Sequence, residues 1–392
     1  MVAMVMETNI SQVRETNERR VLQEVFNAGP ISRSQISRNL RLNKVTVSDI
    51  VASLINKKYL VETGFGTSSK SGGRKPTFVS FNKRLGNVAA FEMGYETLKY
   101  LLTSIEGKAL YHQEFAVKSL GIRQRLAIIQ KCFEEANRSQ SVPVLGLAIA
   151  IHGIVDQNQV LYTPFVELEG LDLVYELETR LNVPVVLENE ANLSAIYERD
   201  FENNNNVGNL VCISIHKGIG AGIIIKNQLY TGHHGEAGEI GQTTVYDPKV
   251  NDDNLPRTIE SICSEDSMVN QIRQQKADFQ LSRSDIVNMY RDGDAVTQKV
   301  INNACFYIAN ILYNTIVTLD PTRVSINSPL IRELPELLDQ ITNAVPHVTG
   351  ERTKIDLIEN VDDATLLGGC SKIIHHILDL RSGVLNFNGK KN

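Results

Sequence analysis

The chain has 392 residues, is 42% hydrophobic and 22% charged, and carries a formal net charge of −5. That length suits about two and a half average domains. The composition excludes collagen-like, disordered and disulfide-scaffold proteins, no apolar run reaches the roughly 18 residues of a membrane helix, and residues 1–20 hold no apolar signal core, so a cytoplasmic protein with no membrane partner is expected. The charge is split: fourteen Lys/Arg face six Asp/Glu through Arg84, and twenty-six face thirty-nine thereafter, so a basic front end precedes an acidic body, the pattern of a nucleic-acid-binding module joined to something else.

In chain order, residues 11–84 read as one unit. Val13, Val21, Leu22, Val25 and Phe26 form an apolar helical stripe that Gly29-Pro30 stops. Ser32 precedes Gln35 by three residues, the spacing of a capping box, and a short helix follows with Ile36 and Leu40 inward. Arg41-Leu42-Asn43 makes a turn, and Asn43 caps a third helix whose stripe is Val47, Ile50, Val51 and Leu54. Two short helices around a tight turn predict a helix-turn-helix. The third helix turns Lys44, Thr46, Ser48, Asp49 and Ser53 outward, most of them near its N-terminal end, where a recognition helix meets base edges. Tyr59–Glu62 and Thr77–Phe81 read as strands flanking a Gly/Ser-rich basic tip, Gly64 to Pro76, which predicts a wing able to follow a phosphate backbone. Ser32, Arg33, Lys44, Thr46, Ser48, Arg74 and Lys75 are the candidate DNA contacts, in a DNA-binding domain over residues 1–84.

The body repeats itself weakly. Asn87 to Phe115 runs strand, Gly94, strand, a turn at Glu106-Gly107, strand; Asn209 to Thr231 runs strand, Gly218, strand, a turn at Lys226-Asn227, strand. Helical stretches follow each. A glycine hairpin opening each of two α/β halves resembles the actin and sugar-kinase superfamily. More specific are Ile215-His216-Lys217-Gly218-Ile219-Gly220-Ala221-Gly222-Ile223 continuing to Gly238-Glu239-Ile240-Gly241-Gln242, then Glu188-Asn189-Glu190-Ala191-Asn192, and Gly146 to Asp156 with His152 in place of a proline. These segments, with the winged front end, resemble the ROK family of repressors and sugar kinases. Within it the chain is most similar to the xylose-responsive repressors of Gram-positive bacteria, in Leu42-Asn43-Lys44, in Glu190 where the kinases have Asp, in Thr163-Pro164 and in Asn327-Ser328.

The resemblance implies an α/β fold: an N-terminal winged helix-turn-helix followed by a two-lobed, actin-like ROK body, with a first lobe at 85–205, a second at 206–392, and a C-terminal helix near 366–380 returning to the first. It implies a sugar pocket at Gly153, Thr163, Asn189, Glu190, Glu239, Gln242 and Glu260. Carboxylates and amides there suit a neutral polyhydroxyl ligand, since they accept from O–H donors. The catalytic machinery of the family's kinases is altered. Their D-x-G-G-T phosphate cradle is here Glu92-Met93-Gly94-Tyr95-Glu96, and Asn327-Ser328 replaces the glycine pair beside adenine. At the position of the catalytic base, Glu190 is longer by a methylene, enough to spoil an in-line attack. No catalytic residue is therefore assigned, and no enzyme activity is expected. The family's structural zinc is expected to be absent, because Gln242 takes the place of its histidine and Tyr246 to Thr258 holds no cysteine. The five cysteines, with no C-x-x-C spacing, read as reduced, buried thiols, and no other cofactor is implied. The expected function is a repressor that binds operator DNA as a homodimer, or a tetramer, and is released by a monosaccharide inducer, D-xylose first. The alternatives are a bifunctional ROK sugar kinase, and a repressor answering to glucose, to N-acetylglucosamine or to no sugar.

Overall fold

The computed structural model describes residues 2–65, 77–202, 208–245, 257–346, 353–380 and 383–387. Helix α1 (Val2–Ala28) is followed by strand β1 (Ile31–Ser32), helices α2 (Arg33–Leu40) and α3 (Lys44–Asn56), and strands β2 (Leu60–Phe65) and β3 (Thr77–Phe81). The caps act where the sequence places them: Ser32 Oγ accepts from Gln35 N at 3.2 Å, and Asn43 Oδ1 from Val45 N at 2.9 Å. Between the two helices Arg41 takes a left-handed φ of 53° that closes the turn. The strands form an antiparallel sheet in the order β1-β3-β2. Val21, Leu22, Val25, Ile36, Val47, Val51, Leu54 and Val79 are buried together as the core of this head. The first helix also takes in residues ahead of the unit read from residue 11, from Val2 onward.

The first lobe opens with an antiparallel run, β4 (Asn87–Met93), β5 (Thr97–Ser104) and β6 (Ala109–Ala116). It continues through α4 (Ile122–Ser139), β7 (Val144–Ile151), the small ribbon β8 (Ile154–Asp156) and β9 (Gln159–Tyr162), α5 (Leu173–Leu181), β10 (Val185–Asn189) and α6 (Glu190–Tyr197). A single π-helical turn, Glu198–Glu202, extends α6. The sheet order is β10-β7-β4-β5-β6. Phe91, Leu102, Ile122, Leu126 and Leu177 bury the face under α4 and α5.

The second lobe repeats the plan with β11 (Leu210–Ile215), β12 (Ile219–Ile225) and β13 (Gln228–Leu229), then the ribbon β14 (Thr244–Val245) and β15 (Arg257–Thr258). Helices α7 (Ile259–Cys263), α8 (Glu265–Lys276), α9 (Arg283–Arg291) and α10 (Ala295–Leu319) follow, then β16 (Arg323–Asn327), α11 (Pro329–Glu333), α12 (Glu336–Ala344), β17 (Lys354–Leu357) and α13 (Ala364–Ile377). Its sheet order is β13-β12-β11-β16-β17. By length and composition α10 could cross a membrane, which the sequence reading did not anticipate; its Val300, Ile301, Ala304, Ile308 and Leu312 are buried in the second lobe's core.

Helices α6 and α13 lie between the two sheets. α6 packs on β11 and β12, α13 packs on β4 and β7, and the two helices pack on each other. The approach is so close that a Cβ on Gly368 would fall 1.9 Å from Leu193 O. Helix α6 thus spans the space between the lobes, with its first residue, Glu190, lining the cleft they form.

Candidate functional site

A cleft of about 670 Å³ opens between the lobes. From the first lobe it is lined by His152, Gly153, Phe165, Asn189 and Glu190, and from the second by Lys217, Gly218, Glu239, Gln242 and Glu260, among others. Six of the seven residues expected to hold a sugar therefore meet in one cavity. Thr163 is the exception: its neighbours Tyr162 and Pro164 line the cleft, while its hydroxyl accepts from Phe165 N at 3.5 Å.

Each side chain is aimed by local structure. Asn189 ends β10 and caps α6, its Oδ1 accepting from Ala191 N and Asn192 N, while its Nδ2 donates to Gly153 O at 2.8 Å. It holds the turn, with one amide hydrogen left over for a ligand. Gly153 has φ +148°, and a Cβ there would strike Tyr162 O at 2.1 Å, so only glycine permits this approach of the backbone to the cleft. Glu190 starts α6. Burial pushes its carboxyl up, and Glu92 and Glu239 add to that against the opposing charge of His152. Glu239 is also raised, by burial and by Glu260 and Glu236. Several carboxylates converging in one cleft set up an environment poor in donors of its own.

The floor holds a charged group that the sequence reading passed over. His152 Nε2 donates to Glu92 Oε1 at 3.2 Å, and Lys99 Nζ reaches Glu92 Oε2 at 3.2 Å. Burial alone would raise Glu92. The His152 hydrogen bond and the charges of Lys99 and His152 more than offset it and hold the carboxyl well below its ordinary range.

Beside the residues expected to hold a sugar, the two turns that correspond to the phosphate cradles of kinases are filled by this chain's own groups. At the first, Arg125, 2% exposed, donates to the carbonyls of Gly94 and Tyr95 at 2.6 and 3.1 Å and fixes the turn that presents Tyr95. Lys217 Nζ reaches across from the other lobe, 5.4 Å from the Tyr95 ring centroid, 6.0 Å from that of Phe165 and 3.9 Å from Glu96 Oε2. At the second turn, Glu260 Oε2 takes the hydrogen of Ile219 N at 2.9 Å and lies 2.6 Å from where a Cβ of Gly218 would be. Asn327 and Ser328 are fully buried, Asn327 donating to Ser194 and Ser328 capping α11.

The residues present do not fit the zinc of ROK relatives. Gln242 Nε2 donates to Glu260 Oε1 at 3.4 Å, and the Cys263 thiol is buried in α7, donating to Ile259 O and pushed up to about 12 by burial. Among the described residues no three His, Cys, Asp or Glu converge as metal ligands.

On the head, the candidate DNA contacts divide. Lys44, Thr46 and Ser48 stand exposed on α3. Ser32 is buried and its hydroxyl is engaged as a cap and with Ser34, so it positions α2 and does not face outward. Arg33 pairs with Glu62 at 2.9 Å across to the wing strand. Arg74 and Lys75 lie outside the described residues.

The ROK family pattern matches residues 88–368. Over 383 residues the chain is 36% identical to the xylose repressor of Lactiplantibacillus pentosus, covering 96% of this chain and 97% of that one. It is 37% identical to the xylose repressor of Staphylococcus xylosus, covering 94% and 97%. Among solved structures, a ROK family transcriptional regulator homologous to the E. coli MLC protein superposes with a TM-score of 0.78 at 22% identity, covering 94% of this chain and 98% of that one. A ROK glucokinase from Streptomyces griseus, in complex with glucose and AMPPNP, superposes at 0.63 and 21% identity, covering 74% and 99%. With its paired glycine hairpins, its inter-lobe cleft and this match across most of its length, the chain belongs to the ROK family.

Proposed function

We propose that this chain is a sugar-responsive transcriptional repressor. It binds operator DNA in the cytoplasm as a homodimer through its winged helix-turn-helix, and a monosaccharide held between the lobes, D-xylose first, releases it. The observation that carries this reading is the asymmetry of the cleft. Its sugar half is open and lined by Asn189, Glu190 and Glu239, while its phosphate half is occupied by Tyr95, Glu96, Lys217 and the Glu260 carboxylate on Ile219 N. Such a cleft takes a polyol and turns away a triphosphate. The exposed polar end of α3 supplies a DNA-reading surface, and the xylose repressors over 94–96% of the chain support the choice of sugar. No kinase activity and no zinc belong to this reading. The test is operator binding in a gel-shift or anisotropy assay with and without D-xylose, glucose and N-acetylglucosamine. Release by xylose is expected; operator binding unmoved by all three sugars would exclude the sugar-responsive reading.

A further inference from the structure

Apart from Lys217 on its phosphate side, the cleft is rich in acceptors and short of side-chain donors. Glu190, Glu236, Glu239 and Glu260 face it; of its amides, Asn189 uses one hydrogen on Gly153 O and Gln242 one on Glu260. A sugar hydroxyl both donates and accepts. Hydroxyls that donate to these carboxylates still carry lone pairs, and a buried acceptor left without a donor weakens binding.

We infer that His152 is a ligand-contacting, specificity-determining residue of this cleft, donating through Nδ1 to the sugar while Nε2 is held by Glu92. His152 lines the cleft, its side chain 20% exposed, and its ring meets Phe165 edge-on at 5.7 Å between centroids. Nε2 must carry a hydrogen, because the Glu92 carboxylate is an acceptor only. Nδ1 has no partner among the described residues. The ring is therefore fixed on one side by a buried carboxylate and on another by an aromatic edge, with its second nitrogen left for a ligand.

The geometry makes the contact depend on charge. As imidazolium, His152 serves Glu92 and the ligand at once. As neutral imidazole it has one hydrogen, and the Glu92 anion, paired otherwise only with Lys99 among the described residues, keeps it. The groups facing His152 are Glu92 on β4, Lys99 on β5, Glu190 on α6 and His216 at the end of β11. Burial pushes His152 down, but the Glu92 bond and the charges of Glu190 and Glu92 outweigh burial and Lys99, so it stays protonated above the usual histidine range. His216 is held neutral, pushed down to about 4 by burial and by His152 and Lys99, and does not compete as a cation.

This inference rests on the sugar-binding reading, and calorimetry separates the two. The full-length protein and its His152→Gln and His152→Ala variants are titrated with D-xylose, glucose, galactose and N-acetylglucosamine from pH 6 to 9, with thermal unfolding checked for each. The wild type should bind one sugar and lose affinity towards alkaline pH as His152 gives up its second hydrogen. His152→Gln has an amide hydrogen for Glu92 but does not titrate. It should bind about ten- to hundredfold more weakly, as expected for losing a hydrogen bond from a charged donor, with no alkaline fall. His152→Ala should bind as weakly or worse. Wild-type affinity and an unchanged pH profile in either folded variant would overturn the role of His152 alone, and wild-type protein that binds none of the sugars would overturn both readings.

Discussion

Phe387 lies face to face with Phe201, ring centroids 4.4 Å apart and planes within 14°. Phe201 sits in the π turn that extends α6, twelve positions beyond Asn189, and Phe387 also meets Phe26 of α1 edge-on at 5.5 Å. Around this stack, Asp200 accepts from Leu385 N, while Gln23 and Asn27 of α1 donate to Val384 O at 3.0 and 2.8 Å and Asn386 N donates to Asn27 Oδ1 at 2.8 Å. The segment 383–387 is thus held by α1 of the head on one side and by the end of α6 on the other. A ligand that moved α6 would act on the head through it, provided that it bound the two arrangements with different affinity. Phe387→Ala should therefore leave sugar affinity and sugar-free operator affinity within a fewfold of wild type but blunt release by sugar. Parallel sugar titrations and operator titrations check this; full induction in Phe387→Ala would rule the segment out as the link.

Operator binding should depend on α3 and the wing. Lys44→Ala removes an exposed charge at the start of α3. It should weaken binding and reduce the slope of log affinity against log salt by about 1 if it meets one phosphate. Arg74→Ala should act in the same direction. A salt slope identical to wild type in both variants would place the interface elsewhere.

Much of this arrangement is readable in the residues, for a physical reason. Helix caps, hairpin turns and stripes are local, so Ser32, Asn43, Gly107 and the Lys226-Asn227 turn mark their elements without help from the rest of the chain. The cleft residues are readable because their motifs bring Glu190 and Glu239 into lobes whose order is fixed. What is not readable depends on partners far away in sequence. The early start of α1 carries no capping or amphipathic signal. The contacts of Asn27 with Val384 and Asn386 join positions nearly the whole chain apart. Arg125 resembles any helical arginine until the Gly94 and Tyr95 carbonyls surround it. His152 is visible as a departure from proline, but its meaning comes from Glu92 on another strand.

The pair Glu198 and Glu202 should leave a mark on stability. Glu198 is completely buried, and burial together with the Glu202 hydrogen bond and charge pushes its carboxyl up to about 9, against the attraction of Arg323. A carboxyl raised on folding binds more protons folded than unfolded, so stability falls as pH rises from the unfolded value near 4.5 towards 9. Glu198→Gln keeps the shape and never ionises, so its unfolding midpoint should decline less between pH 5 and 9 than that of wild type. Thermal denaturation at stepped pH reads the difference, and parallel curves would contradict it.

Purified protein should not transfer phosphate from ATP to sugars. The backbone N–H of Ile219 is already engaged by Glu260, and Tyr95, Glu96 and Lys217 close the opposite turn. A coupled assay with glucose, xylose and N-acetylglucosamine should stay at background. Turnover abolished by Glu190→Gln would establish a kinase. Metal analysis of the same preparation should find no stoichiometric zinc, given Gln242 and the buried Cys263.

The cleft carboxylates are the sharpest probe of induction, and they are not equivalent. Asn189→Ala is a poor choice, since it strips the cap from α6 and the bond to Gly153 O and so disturbs the fold around the cleft. Glu260 also holds Ile219 N, so its loss loosens the β11–β12 turn. Glu239 lines the cleft, its carboxyl makes no hydrogen bond among the described residues, and its neighbours Glu236 and Glu260 repel it. Glu239→Ala should relieve that repulsion and leave the fold and sugar-free operator binding intact. It should cost about 1–3 kcal/mol of sugar binding, or roughly five- to 150-fold in affinity. The concentration of sugar that half-releases the operator should rise by the same factor, because release follows occupancy of the cleft. An unchanged release curve for Glu239→Ala, in protein that still binds the operator normally, would remove Glu239 from the pocket.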